Sequence, residues 1–297
     1  MHAKPDLRVV LKWTIAGSGS VITDVIPLMK IRPTPQTIWK RPAYLPYVQM
    51  SLTDDALLAA EKQLGHELPI EFVEILKVQN GGPIRFKLPD SVGDTIAGIG
   101  SKFPSLLAQD LADAQEYVSF PLNHLIAFDG DGHWYHCLDY RDGNQYPCVS
   151  YIDVECDSQH RVANSFAEFM GAMELDLERE MVLAEIEDFE HAKQRLQDII
   201  GVVPEDKTSN IGIPYSKYQI GDDWQDCLWI SSNLVAAGYS GDSPSSFKFD
   251  GATALFPELL DEAVIFECPV ERLDSYRDLL QTHEMKLLTI EQAANAG

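Results

Sequence analysis

Apolar positions recur at helical spacing through the first part of the chain. Leu57, Ala60 and Leu64 share one face of a helix predicted over 54–64. Thr53 can cap it, Asp54 and Asp55 suit its positive end, and Gly65 suits its close. Pro69 opens a second helix, where a missing N–H in the first turn costs nothing. Phe72, Ile75 and Leu76 form its apolar face, and Asn80-Gly81-Gly82 stops it with residues that tolerate positive φ. Spaced apolar residues predict a third helix over 106–118. The period then shortens. Residues 125–128 and 134–138 read as strands around the turn Asp129-Gly130-Asp131-Gly132, with 148–154 as a third strand of the same sheet. Ser165 with Glu168 has a capping-box pattern ahead of a closing helix carrying Phe166, Phe169, Met170 and Met173. This order predicts an α+β domain with an antiparallel sheet packed by helices.

The flanks differ in character. Residues 7–31 read as two extended segments about Gly17-Ser18-Gly19-Ser20. Pro33, Pro35, Pro42 and Pro46 exclude a long helix or central strand over 32–46. That stretch is expected to be an irregular arm lying on the domain that follows, anchored by Trp39, Tyr44 and Leu45. After 173 the composition turns acidic. Val182, Ile186, Phe189, Leu196 and Ile199 keep helical spacing there, which predicts an acidic amphipathic helix of about 25 residues. Residues 263–267, 270–280 and 286–290 read as strand, helix, strand, suggesting a second, smaller α+β unit with a ferredoxin-like arrangement. The expected organisation is an extended segment at 1–37, a domain at 38–174 and a second domain at 175–297.

Between Trp39 and Met173 the motifs also form a recognisable series. Leu64-Gly65 with Leu68-Pro69 is followed by Gln79-Asn80-Gly81-Gly82 and by the run from His124 to Arg141 that contains Asp129-Gly130-Asp131-Gly132-His133-Trp134-Tyr135. Residues 147–153 and Ser165-Phe166-Ala167-Glu168-Phe169 close the series. In this order the set resembles the SUKH superfamily, bacterial relatives of a yeast cell-wall regulator. The resemblance spans about 38–174 and implies the same α+β fold. It also implies a binding role, since most bacterial members are read as immunity proteins that neutralise a toxin; the eukaryotic relatives suggest a regulatory scaffold instead.

Charge sharpens this picture. Acidic residues outnumber basic ones 46 to 23, for a formal net charge of −23. Such a field repels phosphate backbones, which argues against nucleic acid, and favours encounter with a basic partner. Acidity of this kind is also common in soluble bacterial proteins. No apolar run approaches the roughly 20 residues of a membrane span, and Arg8 and Lys12 interrupt any signal-like stretch, so a cytoplasmic location is expected. Five cysteines without a Cys-x-x-Cys pair point to neither a disulfide framework nor structural zinc. Cys137 and Cys148 are expected as buried apolar residues in strands.

Candidate chemistry is sparse. Asp129 and Asp131 alternate as calcium ligands would, but His133 stands at the third position and no acidic residue closes the loop; a tight turn accounts for both glycines. His133 and Cys137 would share one face of a strand with His136 on the other, so they do not converge on a metal. Gly17-Ser18-Gly19-Ser20 and Ser240-Gly241-Asp242-Ser243 lack the context of a nucleophile elbow or phosphate loop. No catalytic residue, metal or cofactor is assigned, and the chain is expected not to be an enzyme; an enzymatic or metal-dependent module in the C-terminal half is the rival. What remains is an acidic and aromatic rim around the hairpin: Asp129, Asp131, His133, Trp134, Asp139 and Asp142. Aromatic anchors ringed by carboxylates suit capture of a basic protein toxin, although each residue taken singly also fits a turn or a core.

Overall fold

The computed structural model describes residues 29–296 apart from 91, 109–110, 144, 178, 224–225 and 242–246; of 247–250 it describes only the backbone. The extended segments expected over 7–31 lie almost wholly outside the described residues. The chain then forms β1 (Ala43–Tyr44), α1 (Asp54–Leu64), α2 (Ile70–Val78), β2 (Gly82–Pro83), β3 (Phe86–Lys87) and β4 (Thr95–Ile96). A four-stranded sheet follows, β5 (Leu125–Gly130), β6 (Trp134–Asp139), β7 (Cys148–Asp153) and β8 (Ser158–Ala163), then α3 (Phe166–Ala172). The second unit runs β9 (Glu174–Leu175), β10 (Met181–Ala184), α4 (Phe189–Ile200), β11 (Glu205–Thr208), β12 (Pro214–Gln219), β13 (Cys227–Ser232), β14 (Leu234–Tyr239) and β15 (Phe247–Ala254). It ends with β16 (Val264–Glu267), α5 (Leu273–Thr282), β17 (Lys286–Thr289) and α6 (Ile290–Ala294). The fold is α+β, and no described helix is long and apolar enough to cross a membrane.

Local chemistry explains the helix ends. Thr53 Oγ1 accepts from Ala56 N, and Gly65 closes α1 at φ +75°. Pro69 sits as the cap of α2, one residue outside it. Ser165 accepts from Glu168 N at the start of α3, but Glu168 reaches back to Asn164 rather than to Ser165, so the expected capping box is displaced by one residue.

The sheet β5-β6-β7-β8 is antiparallel and covered on both faces. Ile126, Phe128 and Leu138 pack with Phe72, Ile75 and Leu76 of α2 and with Phe166 and Phe169 of α3. On the reverse face, Ala127, Cys137 and Ile152 pack beneath Leu111, Val118 and Leu122. This explains why the helix expected over 106–118 does not form among the described residues. Leu106 enters the first core while Leu111 and Val118 enter the second, so the segment spreads across two surfaces, with only a 3₁₀ turn at Asp113–Tyr117. Strand β8 is mostly polar and exposed and shows no apolar alternation.

In the second unit the acidic helix expected from 174 is corrected. Its first half is strand: Met181-Val182-Leu183 is buried, with alternate residues entering opposite cores. Only Phe189–Ile200 is helical, capped by Asp188, which accepts from His191 N. The six-stranded sheet has the order β11-β12-β13-β16-β10-β17, every neighbouring pair antiparallel. Its β13-β16-β10-β17 part, with α4 and α5 as crossovers, has the ferredoxin-like arrangement, extended at one edge by the β11–β12 hairpin. Met181, Leu183, Leu228, Ile230 and Phe266 pack under α4 and α5 on one face.

The proline-rich arm stitches the two units together instead of lying on the first alone. Trp39 is buried in the first core, but Ala43 and Tyr44 pair in parallel with Gly238 and Tyr239 of β14. Arg85, 7% exposed, forms a second stitch: its Nη1 donates to both carboxylate oxygens of Glu258 at 2.9 Å. Arg41 Nη1 donates across the same seam to Thr253 Oγ1 and Ala254 O. A half-removed buried pair leaves one charge uncompensated in low dielectric. Glu258→Gln is therefore expected to cost about 3–5 kcal/mol in urea unfolding, and Arg85→Met with Glu258→Leu much less.

Candidate functional site

The β5–β6 hairpin carries the residues of interest, and its register decides where they point. Ala127 pairs with Cys137, but Asp129 pairs with His136, leaving Phe128 as the extra residue of a bulge. A bulge re-aims side chains. Here it sets both Phe128 and Asp129 against His136, whose ring stacks on Phe128 at 17° between planes. Gly130, at φ +149°, then turns the strand where a side chain would strike the Trp134 carbonyl. The turn itself is Asp131-Gly132-His133, held by Asp131 Oδ1 accepting from His133 N at 2.9 Å. Asp129 is therefore a strand residue rather than part of the turn.

That placement buries a carboxylate. Asp129 is 6% exposed and His136 is fully buried. His136 Nε2 lies 3.0 Å from Pro89 O, a pure acceptor, so Nε2 carries a proton. His136 Nδ1 then faces Asp129 Oδ2 across 3.7 Å, beyond hydrogen-bond reach, and neither atom has a hydrogen-bond partner. Burial raises the Asp129 pKa above the usual carboxylate range. His136 and the Gly130 N–H oppose that shift and Asp94 adds to it.

A cleft of about 350 Å³ opens beside this carboxylate. Asp129, Gly130, Asp131 and Trp134 of the hairpin form one side, Gly93, Asp94 and Thr95 another, and Tyr47, Phe103 and Pro104 the rest. Two buried polar residues position the wall that carries Phe103 and Pro104. Asn80 donates to Met50 O and Ile99 O and accepts from Ile99 N, fixing the segment after β4. Gln49 Nε2 donates to Lys102 O and Pro104 O, setting Phe103 edge-on to Tyr47 at 5.7 Å. A side chain at Gly93 would collide with both Asp129 Oδ2 and the Trp134 ring, so only glycine lets the loop close over the acid.

Apart from Tyr47, Gln49 and Met50, these residues lie on a stretch that matches a family model. Residues 51–172 match the SMI1 / KNR4 family (SUKH-1). This part of the chain is a SUKH domain. No curated protein matches the chain. The Asn80-Gly81-Gly82 motif of the SUKH domain is thereby explained as architecture: a side chain at Gly81 would strike the backbone of Gly98.

The six rim residues expected from the sequence separate into two groups. Asp129, Asp131 and Trp134 meet at the cleft. His133 is exposed and lies 2.7 Å from Glu155, outside the cleft lining. Asp139 stands at the far end of β6, roughly 17 Å along the strand from Trp134. It is 8% exposed and pairs with Arg141 at 2.6 Å and with the Ser150 hydroxyl at 2.7 Å. Burial alone would raise its pKa, but Arg141 and Ser150 outweigh that and hold it below the usual range. Asp142 pairs with Arg161 at 2.7 Å. Asp139 and Asp142 thus belong to a separate, neutralised group. Among the cleft residues not expected from the sequence are Tyr47, Gly93, Asp94 and Phe103, which come from three separate segments; none carries a local signal beyond its residue type.

The raised Asp129 pKa makes the native state bind a proton more tightly than the unfolded chain. Its contribution to stability should therefore fall as pH rises from the ordinary carboxylate range through the elevated value. Asp129→Asn is expected to lose that slope and to lie no more than about 1 kcal/mol below the parent at neutral pH, as read from urea midpoints between pH 4 and 8.

Proposed function

We propose that the protein is an immunity-type binder that neutralises a basic protein toxin in the cytoplasm by forming a stoichiometric complex, without catalysis. The observation that carries this reading is the cleft of the SUKH domain, which presents Asp94, Asp129 and Asp131 among Tyr47, Phe103 and Trp134. Aromatic anchors beside carboxylates are the composition of a binding hot spot for basic side chains. The net charge of −23 adds long-range attraction for a basic partner. SUKH membership of residues 51–172 supports a protein-binding role.

A second reading, a ligand-binding or catalytic module in the second unit, draws support from a cavity of about 700 Å³ at the seam. Arg41, Arg85, Trp229 and Glu267 are among its lining residues. Mass spectrometry of the purified protein under native conditions would reveal a retained ligand.

The test of the leading reading is capture of a basic protein from the native cells, followed by inhibition of its activity at one-to-one stoichiometry. With that partner, Asp94→Lys plus Asp131→Lys should slow association about tenfold at low salt. Asp142→Lys should leave the rate within about twofold, because a separate, exposed pair is worth little. Equal effects from both changes would move the interface off the cleft.

A further inference from the structure

We infer that the seam cavity binds a small organic anion carrying a planar ring, its acid group set toward the Arg41–Arg85 wall and its ring against Trp229. This rests on the second reading above, a ligand held at the seam, and is independent of toxin capture. The sheet explains why the space exists. Tyr215 stands opposite Ser231, and Trp229 opposite Glu267, so these four side chains of β12, β13 and β16 share one face. The other face, with Leu228, Ile230 and Phe266, is packed under α4 and α5. Phe256 covers part of the first face beside Val182, Ile265 and Ile290. The rest stays uncovered. Lys40, Arg41, Ile84 and Arg85 face it from across the seam, leaving about 700 Å³ between the two walls.

A gap between two units could hold only water, but two residues of this lining are buried with hydrogen bonds unmade. Arg85 is 7% exposed; its Nη1 goes to Glu258, which does not line the cavity, and its Nη2 has no acceptor. Ser231 is 4% exposed, and its hydroxyl makes no hydrogen bond among the described residues. Buried donors without acceptors are costly, and a ligand oxygen would relieve that cost.

Charge gives the sign of the ligand. The three carboxylates of the lining are already engaged: Asp176 by Lys87 at 3.0 Å, Glu180 by the Arg179 N–H at 3.1 Å, and Glu267 by a partner of its own. Lys40 is engaged as well, 3.6 Å from Asp94. Arg41 and Arg85, however, share the single carboxylate of Glu258, which leaves one positive charge over. Burial lowers the pKa of both guanidiniums, Glu258 opposes that, and Arg41 adds to it at Arg85. The volume lies well within the range of small-molecule sites and far exceeds what an inorganic anion fills. Trp229 and Tyr215 offer ring faces, with Ile84 and Ile213 beside them, so the body of the ligand is planar and largely apolar.

The test uses the full chain and two matched pairs of probes: indole-3-acetate with indole-3-acetamide, and adenosine monophosphate with adenosine. In nitrogen–proton NMR, saturable shifts at the Trp229 indole and the Ser231 amide are expected in the millimolar range for the acid of at least one pair. Its neutral counterpart should bind about tenfold more weakly or worse, the loss of one charge-assisted hydrogen bond. A response to the carboxylate or to the phosphate supports the proposal and tells which acid group the site takes. Arg41→Gln should weaken that binding about tenfold. Arg277→Gln makes the same charge change on α5, away from the cavity, and should leave binding within about twofold. If Arg41→Gln does not fold, Ser231→Ala should weaken the acid several-fold.

No saturable shift from either acid, equal binding of acid and neutral counterpart, or equal losses from Arg41→Gln and Arg277→Gln would overturn the proposal. Native mass spectrometry separates it from the wider ligand reading. A retained neutral compound would leave that reading standing without the anion, whereas a bare protein that ignores both acids would sink the two together.

Discussion

Strands β5 and β6 are buried on both faces, and a strand with no wet side has nowhere harmless to put a polar residue. Phe72, Phe166 and Phe169 close one face, while Leu111, Val118 and Leu122 close the other. Regular alternation would have sent Asp129 to the reverse face, among Ala127, Cys137 and Ile152. The bulge at Phe128 turns it instead toward His136 and the edge of the first core. Everything at the cleft depends on that one-residue irregularity: the carboxylate on its wall, the glycine over it and the position of Trp134 beside it. A hairpin that only stabilised the sheet would be better served by an apolar residue there.

The cleft is also tied to the second unit. Phe103 and Tyr47 meet edge-on at 5.7 Å, Tyr47 and Tyr44 at 4.9 Å, and Tyr44 touches Tyr239 of β14 at 5.1 Å. A continuous aromatic row thus runs from the cleft wall to the second unit. The Arg85–Glu258 pair fastens the same seam elsewhere, with Arg85 also lying over the Phe256 ring at 5.4 Å.

Charge acts here at two ranges. The overall excess of carboxylates steers a partner but does not choose a binding face. Individual acids differ sharply in what they can offer. Asp139 is committed to Arg141 and Ser150, and Asp142 to Arg161, so a partner would have to displace existing interactions. Asp129 has no hydrogen-bond partner at Oδ2 to displace. The same residue type on one hairpin therefore performs opposite work, holding the sheet together at one end and lining a cleft at the other.

Much of the SUKH domain was legible in the sequence because its signals are local. Thr53 and Gly65 bound α1, and the glycines between 130 and 132 locate the hairpin within a residue or two, whereas α2 already ends at Gln79 in an extended conformation, ahead of the positive φ values at Gly81 and Gly82. These depend on capping and on positive φ, which neighbouring residues settle among themselves. The sequence misassigned the stretches whose period was decided from outside. Residues 106–118 divide between two cores, and residues 181–184 are strand because a sheet surrounds them. The cleft belongs to this second kind. Asp129, Asp131 and Trp134 could be named from the chain, but Tyr47, Gly93, Asp94 and Phe103 join them only when the arm, the loop before β4 and the loop after it converge. The sequence by itself determined the locally capped elements, the hairpin turn and the overall charge. The tertiary structure decided which carboxylates are neutralised and which one is left buried beside a cleft, because pairing and desolvation depend on neighbours distant in the chain.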